Sequence, residues 1–118
     1  MLRVLRTRWR QHYRTIRYPD GPPPALPERF AGRPVVESAK CPPQCRQCVQ
    51  VCPTQAIEIG GGTQRLGLDT GRCLFCRECQ NVCPAEAISF SREFRIAASR
   101  REDLVVADTA TLPNVTIE

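Results

Sequence analysis

The sequence predicts a small α+β domain that contains two copies of one structural unit. Residues 45–59 (CRQCVQVCPTQAIEI) align column by column with residues 76–90 (CRECQNVCPAEAISF), so the repeat is internal. Each copy predicts a cysteine loop, a short helical turn that ends at a proline, and a short strand. A turn at Gly60-Gly61-Gly62 allows residues 66–68 to return as a strand against residues 57–59. Two copies of one unit imply a pseudo-two-fold domain.

Around this repeat, the chain of 118 residues divides into four segments. Residues 1–18 predict a basic amphipathic helix, because apolar residues recur there at three- and four-residue steps. Residues 19–40 form a proline-rich connector, and such runs favour extended structure. Residues 41–90 hold every cysteine, and residues 91–118 are predicted to begin as a helix and end in a β-branched tail. The apolar positions of the first helix are Leu2, Leu5, Trp9, Tyr13 and Ile16.

The composition predicts a soluble chain with reduced thiols. No stretch approaches the roughly 18 apolar residues of a membrane-spanning helix. Nothing after Met1 resembles the apolar core of a signal peptide. We therefore expect a cytosolic chain, in which dense cysteine indicates metal more often than disulfides. A disulfide framework made by the eight cysteines is the alternative.

Basic charge is concentrated at the N-terminus. The first nineteen residues carry six arginines and no acidic residue, whereas the charges of residues 41–90 are balanced. This asymmetry predicts that residues 1–18 contact an anionic membrane surface or a partner subunit. In the alternative, the apolar stripe packs on the chain's own domain and the basic face is solvated.

The second copy has the cysteine spacing of the bacterial [4Fe–4S] ferredoxin run, Cys-x2-Cys-x2-Cys-x3-Cys-Pro. Cys73, Cys76 and Cys79 lie in one tight loop, from which three thiolates reach three corners of one cluster. Cys83 lies too far along the chain and is expected to bind the other cluster. Pro84, which has no N–H, suits the change of chain direction that follows.

The first copy departs from this spacing by one residue. Pro42, Pro43 and Gln44 separate its first two cysteines. We interpret the extra residue as a bulge that leaves Cys41 as a ligand. The predicted ligand map therefore crosses between the copies, and cluster binding contributes to folding. One [4Fe–4S] cluster takes Cys41, Cys45, Cys48 and Cys83, and the other takes Cys73, Cys76, Cys79 and Cys52.

Zinc is the alternative metal, on a binding module that would use its arginines to contact nucleic acid. Zinc sites usually separate two cysteine pairs by about a dozen or more residues, whereas here three cysteines share one short loop, twice. No nucleic-acid motif, small-molecule substrate site or catalytic site is predicted, because every cysteine is assigned as a ligand and His12 stands alone upstream. Apolar residues near the cysteines are expected to exclude water: Val51, Ile57, Leu74, Phe75, Val82 and Ile88.

The flanking residues resemble a particular class of electron-transfer subunit. The matching runs are similar to the iron–sulfur subunit of membrane-bound [NiFe] hydrogenases and formate hydrogenlyase. They also resemble the homologous two-cluster subunit of proton-pumping NADH:quinone oxidoreductase. The resemblance covers most of residues 14–106 and rests on Arg17-Tyr18-Pro19, residues 29–32, 68–76, 94–97 and 101–104.

This resemblance implies a relay with no catalytic site of its own. Such a subunit passes single electrons between an input dehydrogenase module and a hydrogenase or quinone-reducing module. It implies partner subunits in a hydrogenase-type or complex-I-like assembly, on the cytoplasmic face of the inner membrane. A stand-alone two-cluster ferredoxin carrier is the alternative, although a minimal carrier does not need the segment before Cys41.

Overall fold

Short strands and helices surround the cysteine loops in the computed structural model, which describes residues 2–12, 16–60 and 66–108. An N-terminal helix, α1 (Leu2–Gln11), comes first. Strand β1 (Pro34–Val36) then leads into the first cysteine loop, which is followed by α2 (Gln47–Val51) and β2 (Ile57–Ile59). The second copy repeats this order with β3 (Leu66–Asp69), α3 (Glu78–Asn81) and β4 (Ile88–Phe90). Strand β5 (Val105–Val106) follows.

The strands of one copy pair with those of the other. β1 is antiparallel to β4, with Val36 opposite Ile88, and β2 is antiparallel to β3, with Ile57 opposite Leu68. β5 pairs with β3 on its other edge. The hairpin predicted for residues 57–59 and 66–68 is confirmed, while most of its predicted glycine turn lies outside the described residues.

A small core joins the strands to the cysteine helices. Its buried members contact one another across both sheets, and two of them are cysteines. Burial of each large apolar side chain contributes about 1.5–3 kcal/mol. The thiols of α2 and α3 are therefore continuous with the apolar core. The buried members are Val36, Cys48, Ile57, Leu66, Leu68, Cys79, Ala87, Ile88 and Val106.

The proline-rich connector is part of the fold. Pro34 is the first residue of β1, a strand position at which proline is accepted. Before that strand, the N–H of Gly32 donates to the Ser91 carbonyl at 2.8 Å and the N–H of Arg33 to the Glu93 carbonyl at 2.7 Å. These bonds extend the contact between the connector and the chain that follows β4. Sequence patterning missed β1, because its two valines lie within a proline-rich run.

The prediction that a helix begins at residue 91 is wrong. Between residues 91 and 108, the helical structure is a single 3₁₀ turn at Glu102–Leu104. The Ser91 and Glu93 carbonyls accept hydrogen bonds from the connector, and the Glu93 carboxylate accepts the Arg95 backbone N–H at 2.8 Å. These interactions occupy backbone groups that a helix would need. Tertiary contacts therefore override the local helical pattern.

The N-terminal helix is shorter than predicted and fully exposed. It ends at Gln11; Tyr13 lies outside the described residues, and residues 16–18 are not helical. Leu2 is 87 % exposed, Leu5 66 % and Trp9 82 %, so the apolar stripe does not pack on the described part of the chain. Within that part, no helix is both long and apolar enough to cross a membrane.

Candidate metal centres

Four thiols, one of them from the second copy, lie near enough for their charges to interact. We call Cys41, Cys45, Cys48 and Cys83 the first thiol group. Burial raises the pKa of the Cys48 thiol, and repulsion from the other three members raises it further. Burial also raises the pKa of Cys41, and repulsion from Cys45 and Cys83 adds to that effect. Because such repulsion acts over short distances, the fold brings Cys83 to the cysteines of the first copy.

The other four thiols line one pocket. We call Cys52, Cys73, Cys76 and Cys79 the second thiol group, and all four border the same pocket. Burial raises the pKa of Cys79 to about 11, with repulsion from Cys73, Cys76 and Cys52 as a smaller cause. The fold thus brings Cys52, from the first copy, to three cysteines of the second. The apolar part of the pocket wall includes Ala56, Ile57, Leu68, Leu74 and Phe90.

The cysteines are positioned by α2, by α3 and by the loop that precedes α3. Cys48 in α2 and Cys79 in α3 are 4 % and 7 % exposed, and the two helices pack against each other. Cys76, in the loop before α3, is exposed. That loop turns sharply, since Phe75 and Arg77 have φ angles of 54° and 65°, which non-glycine residues adopt uncommonly. The two helices that carry the buried cysteines of the two groups therefore contact each other.

Backbone N–H groups point at the sulfur atoms. The Ala56 N–H donates to the Cys52 sulfur at 3.3 Å, and the Ala87 N–H donates to the Cys83 sulfur at the same distance, so equivalent positions of the repeat make the same bond. Burial alone would raise the pKa of Cys52. Hydrogen bonds from Ala56 and Thr54 outweigh that effect and leave the pKa below its usual value. Such donors stabilise negative charge on a ligand sulfur.

The extra residue of the first copy changes the loop next to Cys41. In the second copy, the Phe75 N–H donates to the Cys73 sulfur at 3.3 Å. Two residues after Cys41 stands Pro43, which has no N–H to donate. The loop closes instead through the Cys45 N–H, which donates to the Pro42 carbonyl at 3.1 Å. Cys41 still lies with its group despite this difference.

The donor set fits an iron–sulfur cluster. Each group offers four thiols, the ligand number of a [4Fe–4S] cluster, with N–H donors directed at the sulfur atoms. The second pocket also contains an unpaired donor: Arg77 borders it, and its buried Nε has no hydrogen-bond partner in the described part of the chain. A buried N–H without a partner is costly, and a cluster sulfur is a suitable acceptor. Within the same residues, no three Cys, His, Asp or Glu side chains are arranged to hold a single metal ion.

Comparison with known protein families identifies this region. Residues 38–87 match the family model described as a 4Fe-4S dicluster domain, and that span includes all eight cysteines. This region of the chain is therefore of the iron–sulfur type, and its cofactor chemistry is that of [4Fe–4S] clusters. No curated protein sequence matches the chain.

A solved structure is similar over most of the chain. A chain from the archaeal membrane-bound sulfane sulfur reductase (MBS), described as a respiratory membrane complex, shares 31 % sequence identity and superposes with a TM-score of 0.61. The alignment covers 83 % of the present chain and 57 % of the MBS chain. The present chain therefore spans little more than half the length of the protein it resembles.

Several site residues differ from their sequence-based description. Leu74 borders the second pocket but is 64 % exposed, so the prediction that it excludes water is corrected. Ile57 and Ile88 are buried as expected. Sequence reasoning missed Arg77 and Thr54, whose equivalents in the repeat are Arg46 and Ala85. The positive φ angle at Arg77, which distinguishes it from Arg46, has no signature in the sequence.

Proposed function

We propose that the chain holds two [4Fe–4S] clusters with crossed ligation, one on each thiol group. The observation that carries this proposal is that each group combines three cysteines of one copy with the fourth cysteine of the other. The strand–loop–helix–strand order of each copy supports a pseudo-two-fold relation between the two sites. Each cluster takes up or releases one electron, and the protein supplies fixed thiolates and N–H donors around it.

We further propose that the chain is a relay subunit of a membrane-associated oxidoreductase complex. The similarity to a chain of an archaeal respiratory membrane complex supports this role. In it, the clusters pass single electrons from an input dehydrogenase module to a hydrogenase or quinone-reducing module, and the chain binds peripherally to the cytoplasmic face of the membrane. All eight cysteines are assigned as ligands, which leaves no thiol nucleophile for a catalytic site.

Co-purification tests the relay. An affinity-tagged chain, extracted in mild detergent from its native membranes under anaerobic conditions, is expected to bring down partner subunits with further redox cofactors. The substrate of the input module should then reduce the clusters of this chain within the complex. A monomeric chain that exchanges electrons freely with soluble reductases would instead identify a stand-alone ferredoxin carrier. Zinc in place of iron would identify the binding-module alternative.

The exposed helix α1 supports membrane contact. Its stripe of Leu2, Leu5 and Trp9 is exposed and does not pack on the described part of the chain, and the helix also carries several arginines. Helices with an apolar face and a basic face lie in the interface of anionic bilayers. We propose that α1 binds an anionic membrane surface next to the partner subunits.

Substitution of the apolar stripe tests this contact. The double variant Leu5→Ser with Trp9→Ser should abolish sedimentation with vesicles that contain anionic lipid. Val4→Ser is a matched control, since Val4 is 72 % exposed on the opposite face of the same helix. Unchanged sedimentation of the double variant, or equal binding to neutral vesicles, would contradict the proposal. Binding only to the purified complex would indicate a protein partner instead.

A further inference from the structure

We infer that the two sites differ electrostatically, so that the cluster on the second thiol group has the higher reduction potential. In a chain that carries a single added electron, that electron therefore resides on the second cluster. This inference rests on the proposed function, because it requires a cluster on each group. Reduction adds one electron, and therefore one negative charge, to a cluster. Nearby positive charge and N–H donors stabilise that charge and raise the potential. Three differences between the two copies all favour the second group.

The first difference is an arginine. Arg77 borders the pocket of the second group, its Nε is buried, and its Nη2 donates to the Phe30 carbonyl at 2.7 Å. That hydrogen bond holds the guanidinium in place while Nε stays without a protein partner. The equivalent residue of the first copy, Arg46, is exposed, and solvent screens its charge. Arg77 is therefore a tuning residue for the second cluster, as positive charge and as an N–H donor.

The second difference is the loop after the first cysteine of each copy. The Cys73 sulfur accepts the Phe75 N–H at 3.3 Å. The residue two positions after Cys41 is Pro43, which cannot donate. Its φ is also fixed near −65°, so it cannot adopt the value of 54° that Phe75 has. At the position two residues after the first cysteine, the first group therefore has no N–H where the second group has a donor to the sulfur.

The third difference is a hydroxyl. The Thr54 Oγ1 lies 3.7 Å from the Cys52 sulfur, which belongs to the second group. The equivalent position next to Cys83, in the first group, is Ala85, which has no polar side-chain atom. A thiolate at Cys52 accepts the hydroxyl proton as a hydrogen bond. This gives the second group a donor that the equivalent position of the first group cannot supply.

Burial does not offset these differences. The most buried cysteines of the two groups, Cys48 and Cys79, are 4 % and 7 % exposed and so nearly equal. Cys76 of the second group is exposed, whereas the equivalent Cys45 is half-buried. Greater access to water also stabilises the reduced cluster. Asp69 repels negative charge at Cys73 weakly, and its carboxylate is paired with Arg101 at 2.7 Å.

An anaerobic redox titration followed by EPR, with dithionite as the electron donor, tests the inference on the full chain. The signal of the second cluster, assigned by its change in Cys76→Ser, should appear at the higher potential. Arg77→Gln should shift that signal to lower potential and leave the first cluster unchanged. Arg46→Gln, the matched control, should shift neither. A first cluster that reduces before the second, or an Arg77→Gln chain with both potentials unchanged, would overturn the inference.

A second pair of variants avoids the structural role of Arg77. Thr54→Ala should lower the potential of the second cluster, and Ala85→Thr should raise that of the first, because each exchanges one side chain between equivalent positions. If neither variant shifts a reduction potential, the Thr54 hydroxyl is not a cause of the difference between the clusters. A wild-type chain with a single cluster would refute the proposed function itself. Two clusters of equal potential would refute only this inference.

Discussion

Cys52→Ser is expected to remove the cluster of the second thiol group and to leave the cluster of the first thiol group in place. Cys52 lies in the first copy of the repeat but borders the pocket formed by Cys73, Cys76 and Cys79. Its sulfur accepts the Ala56 N–H, which stabilises a thiolate ligand. Serine places a weaker ligand at that corner, so iron content should fall by about four atoms per chain. The EPR signal that disappears should be the one that Cys76→Ser also removes.

Cys83→Ser is the matched variant, since Cys83 occupies the equivalent position and accepts the Ala87 N–H at the same distance. It should abolish the signal that Cys45→Ser also removes. If Cys52→Ser instead lost the EPR signal of the cluster on the first thiol group, the crossed ligation would be contradicted. Because each cluster joins the two copies, either variant should also unfold at lower denaturant concentration than the wild-type chain.

Gly32→Ala is expected to destabilise the protein through the connector. A Cβ at this position would lie 2.8 Å from the Glu93 carbonyl carbon and closer still to its oxygen, which are backbone atoms that cannot rotate away. The N–H groups of Gly32 and Arg33 bond to the same segment, so the clash would separate the connector from the chain after β4. Overpacking of this kind costs about 1–3 kcal/mol.

The visible absorbance of the bound clusters provides the measurement, as the guanidinium concentration at which half of it is lost. Gly32→Ala should lower that midpoint. Gly67→Ala is the matched control, because a Cβ in β3 would meet only ordinary contacts at 3.8 Å, and its midpoint should move less. Equal midpoints for the two variants would show that the connector does not stabilise the cluster domain. The midpoint is compared in place of a free energy of unfolding, because a protein that loses a bound cofactor does not unfold in a two-state manner.

The parts of the fold that the sequence predicted are those with a local signal. The repeated cysteine spacing and the alanine–isoleucine pairs that follow indicated two loop–helix–strand units. The hairpin of residues 57–59 with 66–68 followed from its central glycines. The structure also brings Cys52 and Cys83 to the opposite groups, and their ligation of iron remains a prediction that the serine variants test.

The parts that the sequence missed depend on distant residues. β1 forms because Val36 and Pro34 meet Ile88 and Phe90, which lie more than fifty residues away in the chain. The segment after β4 has a helical composition, yet its carbonyls bond to the connector. Arg77 and Arg46 occupy the same column of the repeat, yet they differ in backbone conformation and in burial. None of these features follows from local patterns, since each depends on tertiary contacts.

Iron and acid-labile sulfide analysis of the anaerobically purified chain, together with EPR of the dithionite-reduced form, tests the central claim most directly. Two clusters on two groups of four thiols predict about eight iron and eight sulfide per chain, with two S = 1/2 signals in the reduced state. A content near four iron atoms, or zinc without sulfide, would contradict the assignment of a cluster to each thiol group.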